Sequence, residues 1–148
     1  GTRGTERRPT MPYAAITYDV KPGHEAEIRE VFSRFQRPGS PVLHDADGAP
    51  VGMLLGTGLF IQGGLMVRVI HYEGGTIDDV ARHMSVQEGV HLIETELAPY
   101  LATPRETDTT TPAGFVAHFE SALMAEIQQF ALPGEIAERI RGEAFSTT

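Results

Sequence analysis

The chain contains no cysteine, which excludes disulfides and every thiolate metal centre. It has no tryptophan and a single lysine, Lys21. The remaining basic charge is carried by arginine. The 12 basic residues are outnumbered by 20 acidic ones, for a formal net charge of −8. The arginines are scattered rather than striped, and a phosphate backbone requires a basic patch, so nucleic acid is not an expected partner. No apolar run approaches the roughly 18 residues of a membrane span, so no membrane contact is expected. No signal-peptide pattern is read before the first apolar segment. A cytoplasmic location is the expectation.

What is present suffices for one domain with a tail. Of the 148 residues, 41% are hydrophobic, enough for one core. Residues 1–10 show no apolar periodicity and are read as a disordered leader or cloning remnant. Residues 11–110 carry the domain, and residues 111–148 a helical extension.

The densest information lies between His44 and Glu73. Asp45-Ala-Asp-Gly48 is a tight turn. It superficially resembles a calcium loop but lacks the remaining ligands. The run from Val51 to Gln62 reads as a strand, Gly63-Gly64 as a hairpin turn, and Leu65 to Glu73 as the returning strand. Gly56-Thr-Gly58 does not form a dinucleotide fingerprint, because a strand and not a helix follows it.

Elsewhere, Pro12–Val20 alternates like a strand. His24–Gln36 is helical, with Ile28, Val31, Phe32 and Phe35 on one face. Thr76 is placed to cap a short helix over 77–85, ahead of Asp78 and Asp79. A second helix starts near Gln87 and turns Val90, Ile93 and Leu97 inward. Thr103–Asp108 is read as a short edge strand. Thr111-Pro112 opens another helix, with Phe115, Phe119, Leu123 and Ile127 as its stripe. A last helix spans Glu135 to about Arg141. The order predicts an α+β fold, a ferredoxin-like split βαβ with an antiparallel sheet and a C-terminal helical tail. Both sheet faces are apolar, so a second copy is expected to cover one of them. That gives a homodimer of the dimeric α/β-barrel type.

Arg68 is the first candidate site residue, because a charge amid Met66, Ile70 and Tyr72 needs a partner, a cavity or a ligand. It could bind an enolate or other anion, or pair with a carboxylate such as Asp19. Six histidines are present, and a neutral imidazole is a general base near pH 7. His71 falls on the opposite strand face from Arg68, while His83 and His91 fall on the helices after the hairpin. No pair has the H-x-x-x-H spacing of two ligands on one helix face, and no metal is expected. Tyr18, Phe60, Met66 and Tyr72 are candidates to line an apolar substrate cavity. No cofactor is expected.

Residues 12 to about 124 resemble the SchA/CurD-like family of aromatic polyketide gene clusters. The resemblance rests on Met11-Pro-Tyr-Ala-Ala-Ile-Thr-Tyr18, Asp45-Ala-Asp-Gly-Ala-Pro-Val-Gly52, Leu55-Gly-Thr57, Phe60-Ile-Gln62 and Arg68-Val-Ile70. It continues through Ala81-Arg-His-Met84, Glu88-Gly-Val-His91, Leu97-Ala-Pro-Tyr-Leu101 and Pro112-Ala-Gly-Phe115. It implies a role in making spore pigments or related antibiotics. Polyketide synthase components are possible partners under that resemblance, and it carries over no catalytic residue. The expected fold also looks like the barrels of polyketide cyclases and of cofactor-free monooxygenases, although those oxygenases often place a tryptophan in the pocket. The expected function is a cyclase acting on an aromatic polyketide intermediate. The alternatives are a cofactor-independent monooxygenase of an anthrone-like ring and a non-catalytic pigment-binding or scaffold protein.

Overall fold

The computed structural model of the chain describes residues 11–34 and 39–145. Its strands are β1 (Tyr13–Asp19), β2 (Val42–His44), β3 (Pro50–Gln62) and β4 (Leu65–Gly74). Its helices are α1 (Glu25–Ser33), α2 (Ile77–Ser85), α3 (Glu88–Leu97), α4 (Pro112–Ala122) and α5 (Gly134–Ala144), with a 3-10 turn at Ala98–Tyr100. Residues 1–10, and Phe35 and Gln36 of the expected first helix, lie outside the described residues.

The β3–β4 hairpin is the centre of the sheet. Its turn passes through Gly63 at φ 59°, a left-handed conformation that glycine adopts without steric cost. At the open end the strands approach so closely that a Cβ on Gly52 would lie 2.0 Å from the Glu73 carbonyl oxygen. β1 pairs antiparallel with β4, placing Ile16 opposite Arg68 and Tyr18 opposite Met66. β2 pairs with the beginning of β3. The Asp45 turn closes on itself, since the Asp45 carboxylate accepts from the amides of Asp47 and Ala49 at 2.9 and 3.0 Å.

The strand order is β1-β4-β3-β2 in an open four-stranded sheet. This corrects the expected fold class, because the sheet does not close into a barrel and Thr103–Asp108 is not a strand. The reason lies in that segment's polar groups. Pro104 has no amide to give a ladder. Arg105 donates to Glu94 of α3, and Thr107 Oγ1 donates to the Gly114 carbonyl of α4. The segment therefore ties two helices together, and the fourth strand is β2 on the other edge. What forms is a small α+β domain with an antiparallel sheet and C-terminal helices.

A bulge separates Leu54 from Gly56 in β3. Leu54 lies opposite Tyr72, after which Thr57, Leu59 and Ile61 lie opposite Ile70, Arg68 and Met66. The helix-facing side is thus even-numbered before the bulge and odd-numbered after it. This is why β3 reads as apolar on both alternations. Its Leu54, Leu59 and Ile61 all pack on a core built around Ile16, Met66, Ile70, Val80, Leu97 and Phe119. Full burial of each such side chain contributes about 1.5–3 kcal/mol.

α2 carries a complete capping box, in which the Thr76 side chain accepts from the Asp79 amide and the Asp79 carboxylate accepts from the Thr76 amide. Burial pushes the Asp79 carboxyl upward. Hydrogen bonds from Arg82 and Thr76 outweigh that and leave it below the usual carboxylate range. The stripe expected to run from Phe115 to Ile127 is interrupted. Phe115 and Phe119 are buried, but α4 stops at Ala122 and Ile127 is 93% exposed. Here the free edge of β1 competes with the helix: Leu123 bridges Ile16, and the Met124 amide donates to the Ala15 carbonyl at 2.8 Å. Farther along, the Gln129 side chain pairs with the backbone of Tyr13.

Candidate functional site

Arg68 projects from β4 on the helix-facing side and enters a cavity of about 620 Å³ between the sheet and the helices. The walls are apolar, from Phe32, Leu54, Leu59, Met84, Val90 and Ile93. The polar residues lining it are Thr57, Arg68, His83, Gln87 and Glu88, of which Thr57 and Glu88 are exposed. An apolar hollow with few convergent polar groups is the usual form of a small-molecule site.

Three contacts hold the guanidinium. Nε donates to the Tyr18 hydroxyl at 3.5 Å, and Nη1 donates to Thr57 Oγ1 at 3.2 Å. The group also lies over the Phe32 ring, 5.6 Å from its centroid, in reach of a cation–π attraction. Among the described residues no carboxylate lies within ion-pair distance of Arg68. Asp19, the partner considered from sequence, is exposed and belongs to the other alternation of β1. Nη2 has no protein partner among the described residues.

His83 reaches the same cavity from α2. Burial pulls its imidazole below the ordinary histidine range, nearby His44 adds to the effect, and a hydrogen bond to the Ser40 backbone opposes it. Gln87 Nε2 stands 3.5 Å from His83 Nε2 and donates to the His83 carbonyl at 3.2 Å. The cavity thus holds a permanent cation and an imidazole biased toward its neutral, proton-accepting form. Together they can remove a proton from a carbon acid and stabilise the oxyanion that results.

The other sequence candidates lie elsewhere. His71 is on the opposite sheet face, stacked on Tyr13 with centroids 4.3 Å apart. His91 Nε2 is hydrogen-bonded to the Ser85 carbonyl at the end of α2. Phe60 is 65% exposed on the face away from the helices, and Met66 is fully buried in the core. Tyr72 is buried and lines a different hollow beside β1, with Leu123 and Glu126. Burial first, then Glu126 and Asp79, raise its phenol above the ordinary range. Tyr18 touches Arg68 but is not among the residues lining the cavity.

Sequence reasoning did not single out Phe32, Thr57 or Gln87 for the site, nor the buried Glu94 and Thr109 with the partly buried Arg105. Glu94 carried a signal. It falls on the apolar face of α3, four residues after Val90 and three before Leu97, where a carboxylate requires a cation. Arg105 supplies one through two bonds of 3.0 and 3.1 Å, and Thr109 Oγ1 donates to the same carboxylate at 2.7 Å. Among the described residues no group of three or more His, Cys, Asp or Glu is placed to hold a metal ion. Among them, no helix is long and apolar enough to cross a membrane.

The model of the SchA/CurD like domain matches residues 11–132. A 42.8 kDa protein in the whiE locus of Streptomyces coelicolor is 32% identical over 84% of this chain and 29% of its own length. Polyketide synthase CurD of Streptomyces cyaneus is 31% identical over 88% of this chain and 33% of its own length. Protein SchA of Streptomyces halstedii is 28% identical over 76% of this chain and 27% of its own length. The chain therefore spans about a third of the length of these relatives. No solved structure matches.

Proposed function

We propose that this chain, which belongs to the SchA/CurD-like family, is an accessory protein of aromatic polyketide biosynthesis and acts as a cyclase in the Arg68–His83 cavity. The observation that carries the chemistry is Arg68. It is a guanidinium without a carboxylate within ion-pair distance among the described residues, in an apolar hollow that a half-buried histidine also lines. The pathway comes from the relatives, one of which bears the name of a polyketide synthase.

A poly-β-ketone needs little machinery to close a ring. His83 accepts a proton from a methylene flanked by two carbonyls, and the enolate oxygen takes a position against Arg68. The enolate carbon forms a bond to a distant ketone carbon held near it by the apolar walls. The alkoxide recovers the proton from the imidazolium, and loss of water gives the aromatic ring. His71, His91, Phe60, Met66 and Tyr72 have no part in this scheme.

Product analysis of a synthase that releases a linear poly-β-ketone, with and without the purified protein, tests the proposal. A new ring pattern, with one water lost for each ring closed and no oxygen gained, is the expected result. An unchanged product profile overturns it. A gain of one oxygen would make the protein an oxygenase, and tight binding without turnover would make it a carrier. The sheet face away from the helices, with Val67, Val69 and Phe60, is the place for a second copy. A monomer by light scattering at micromolar concentration would count against that homodimer.

A further inference from the structure

We infer that Tyr18 is a positioning residue for Arg68, and that the buried Glu94–Arg105 pair fixes Tyr18 in turn. The inference rests on the proposal that Arg68 holds an anionic oxygen, and it assigns the support that makes such a hold selective for the ionised form of a ligand.

The connections run without a gap from the far side of α3 to the cavity. Thr109 and Arg105 both donate to Glu94, which is only 6% exposed. Bidentate contact fixes the plane of the Arg105 guanidinium. That guanidinium lies over the Tyr18 ring, 5.6 Å from its centroid. The ring is buried in β1, and its hydroxyl accepts from Arg68 Nε. Thr57 takes Nη1, and the Phe32 ring lies beneath the group.

Two consequences follow. First, a flexible arginine loses freedom before any ligand arrives, so less ordering remains to be done on binding. Second, the groups that touch Arg68 are neutral, and the one buried carboxylate behind them is already matched. Tyr18, Thr57 and Phe32 carry no charge, and Glu94 is matched by Arg105. With Glu88 exposed at the start of α3, no carboxylate among the described residues comes within ion-pair distance of Arg68, and a neutral carbonyl gains less from its field than an enolate or phenolate does. Tyr18 thus acts through Arg68, and need not touch the ligand itself.

The test compares two probes on the full chain. One is 2,4-dinitro-1-naphthol, ionised at neutral pH. The other is its uncharged O-methyl ether. The ratio of their affinities isolates the contribution of the anion. The wild type is expected to prefer the naphtholate by at least about tenfold. Tyr18→Phe keeps the ring under Arg105 and removes only the hydroxyl. It should reduce the preference about threefold, as loss of one modest hydrogen bond would, and leave ether affinity and melting temperature unchanged. Arg68→Met should abolish the preference. If Arg68→Met leaves the preference intact, the anion-binding cavity itself is wrong. If Arg68→Met abolishes it and Tyr18→Phe does not alter it, the cavity stands and the positioning role of Tyr18 is overturned. Equal losses of both probes with Tyr18→Phe would mean ordinary packing, and would also overturn that role.

Discussion

The side-chain amide of Gln129 pairs with the backbone of Tyr13 as a strand residue would. Its Nε2 donates to the Tyr13 carbonyl at 2.6 Å, and its Oε1 accepts from the Tyr13 amide at 2.8 Å. A free strand edge is a template for unwanted pairing, and a glutamine 116 positions away in sequence occupies one end of this one. Gln129→Glu removes the donor and sets a carboxylate against a carbonyl. The expected result is faster hydrogen exchange at the Tyr13 and Met124 amides, with a loss of about 1 kcal/mol in local stability. Unchanged exchange at both amides would show that the pairing contributes nothing.

Arg68→Met is expected to keep most of the melting temperature. With no carboxylate within ion-pair distance of Arg68 among the described residues, the change leaves no buried charge unpaired, and the methionine stem suits a cavity walled by Leu59 and Phe32. Cyclisation should fall by at least about tenfold, or about 1.4 kcal/mol in the barrier. A variant that melts many degrees early but retains activity per folded molecule would reverse this assignment.

Arg105 should behave in the opposite way. Arg105→Met strands the Glu94 carboxylate in the interior, which typically costs about 3–5 kcal/mol. The double change Glu94→Leu with Arg105→Met removes both charges and should be distinctly milder than Arg105→Met alone. Urea denaturation of the wild type, Glu94→Leu, Arg105→Met and the double variant checks this. Additive losses would mean that the pair is not coupled.

Acid should weaken the fold in a window set by two histidines. Burial, as the leading cause, lowers both His83 and His118 below the ordinary value. His44 adds to the effect at His83, and Arg105 adds to it at His118. The unfolded chain therefore takes up these protons first. Their effect begins as the pH drops through about 6.5, and stability declines until the folded-state values are passed. Asp79 and Asp108, both held below the ordinary carboxylate range, act only at lower pH. Urea midpoints measured between about pH 7 and pH 5 should fall for the wild type. The slope should be shallower for His83→Gln, and shallower still for His83→Gln with His118→Gln. An unaltered slope in the double variant would assign the decline to other groups.

Local rules reached the hairpin, its Gly63 turn and the capped α2, because each depends on residues adjacent in the chain. They also reached Arg68 and His83 separately, one as a charge in an apolar run and the other as an imidazole on a helix. They did not bring the two together or find Phe32, Thr57 and Gln87 around them, since that depends on how α1, α2 and the sheet meet. Thr103–Asp108 misled for a related reason. Its threonines have the propensity of a strand, yet Arg105, Thr107 and Thr109 are drawn to Glu94 and Gly114 by contacts that no local window contains. The stripe of α4 continued on paper past Ala122 because helical periodicity takes no account of a neighbouring sheet edge that needs partners.

The bulge between Leu54 and Gly56 makes the cavity depend on the number of residues in β3 as well as on their kind. Deleting Leu55 alone would remove the bulge and restore strict alternation with every pairing from Gly56 onward kept, so that Thr57 and Leu59 would still lie opposite Ile70 and Arg68. Closing the bulge with Leu55 kept would instead put Gly58 opposite Arg68 and turn Thr57 and Leu59 to the outer face. Substitutions along this strand can be graded in their effect. Closure of the bulge with its residue kept is a frameshift in side-chain direction, and it exchanges the lining of the cavity for its outer wall in one step.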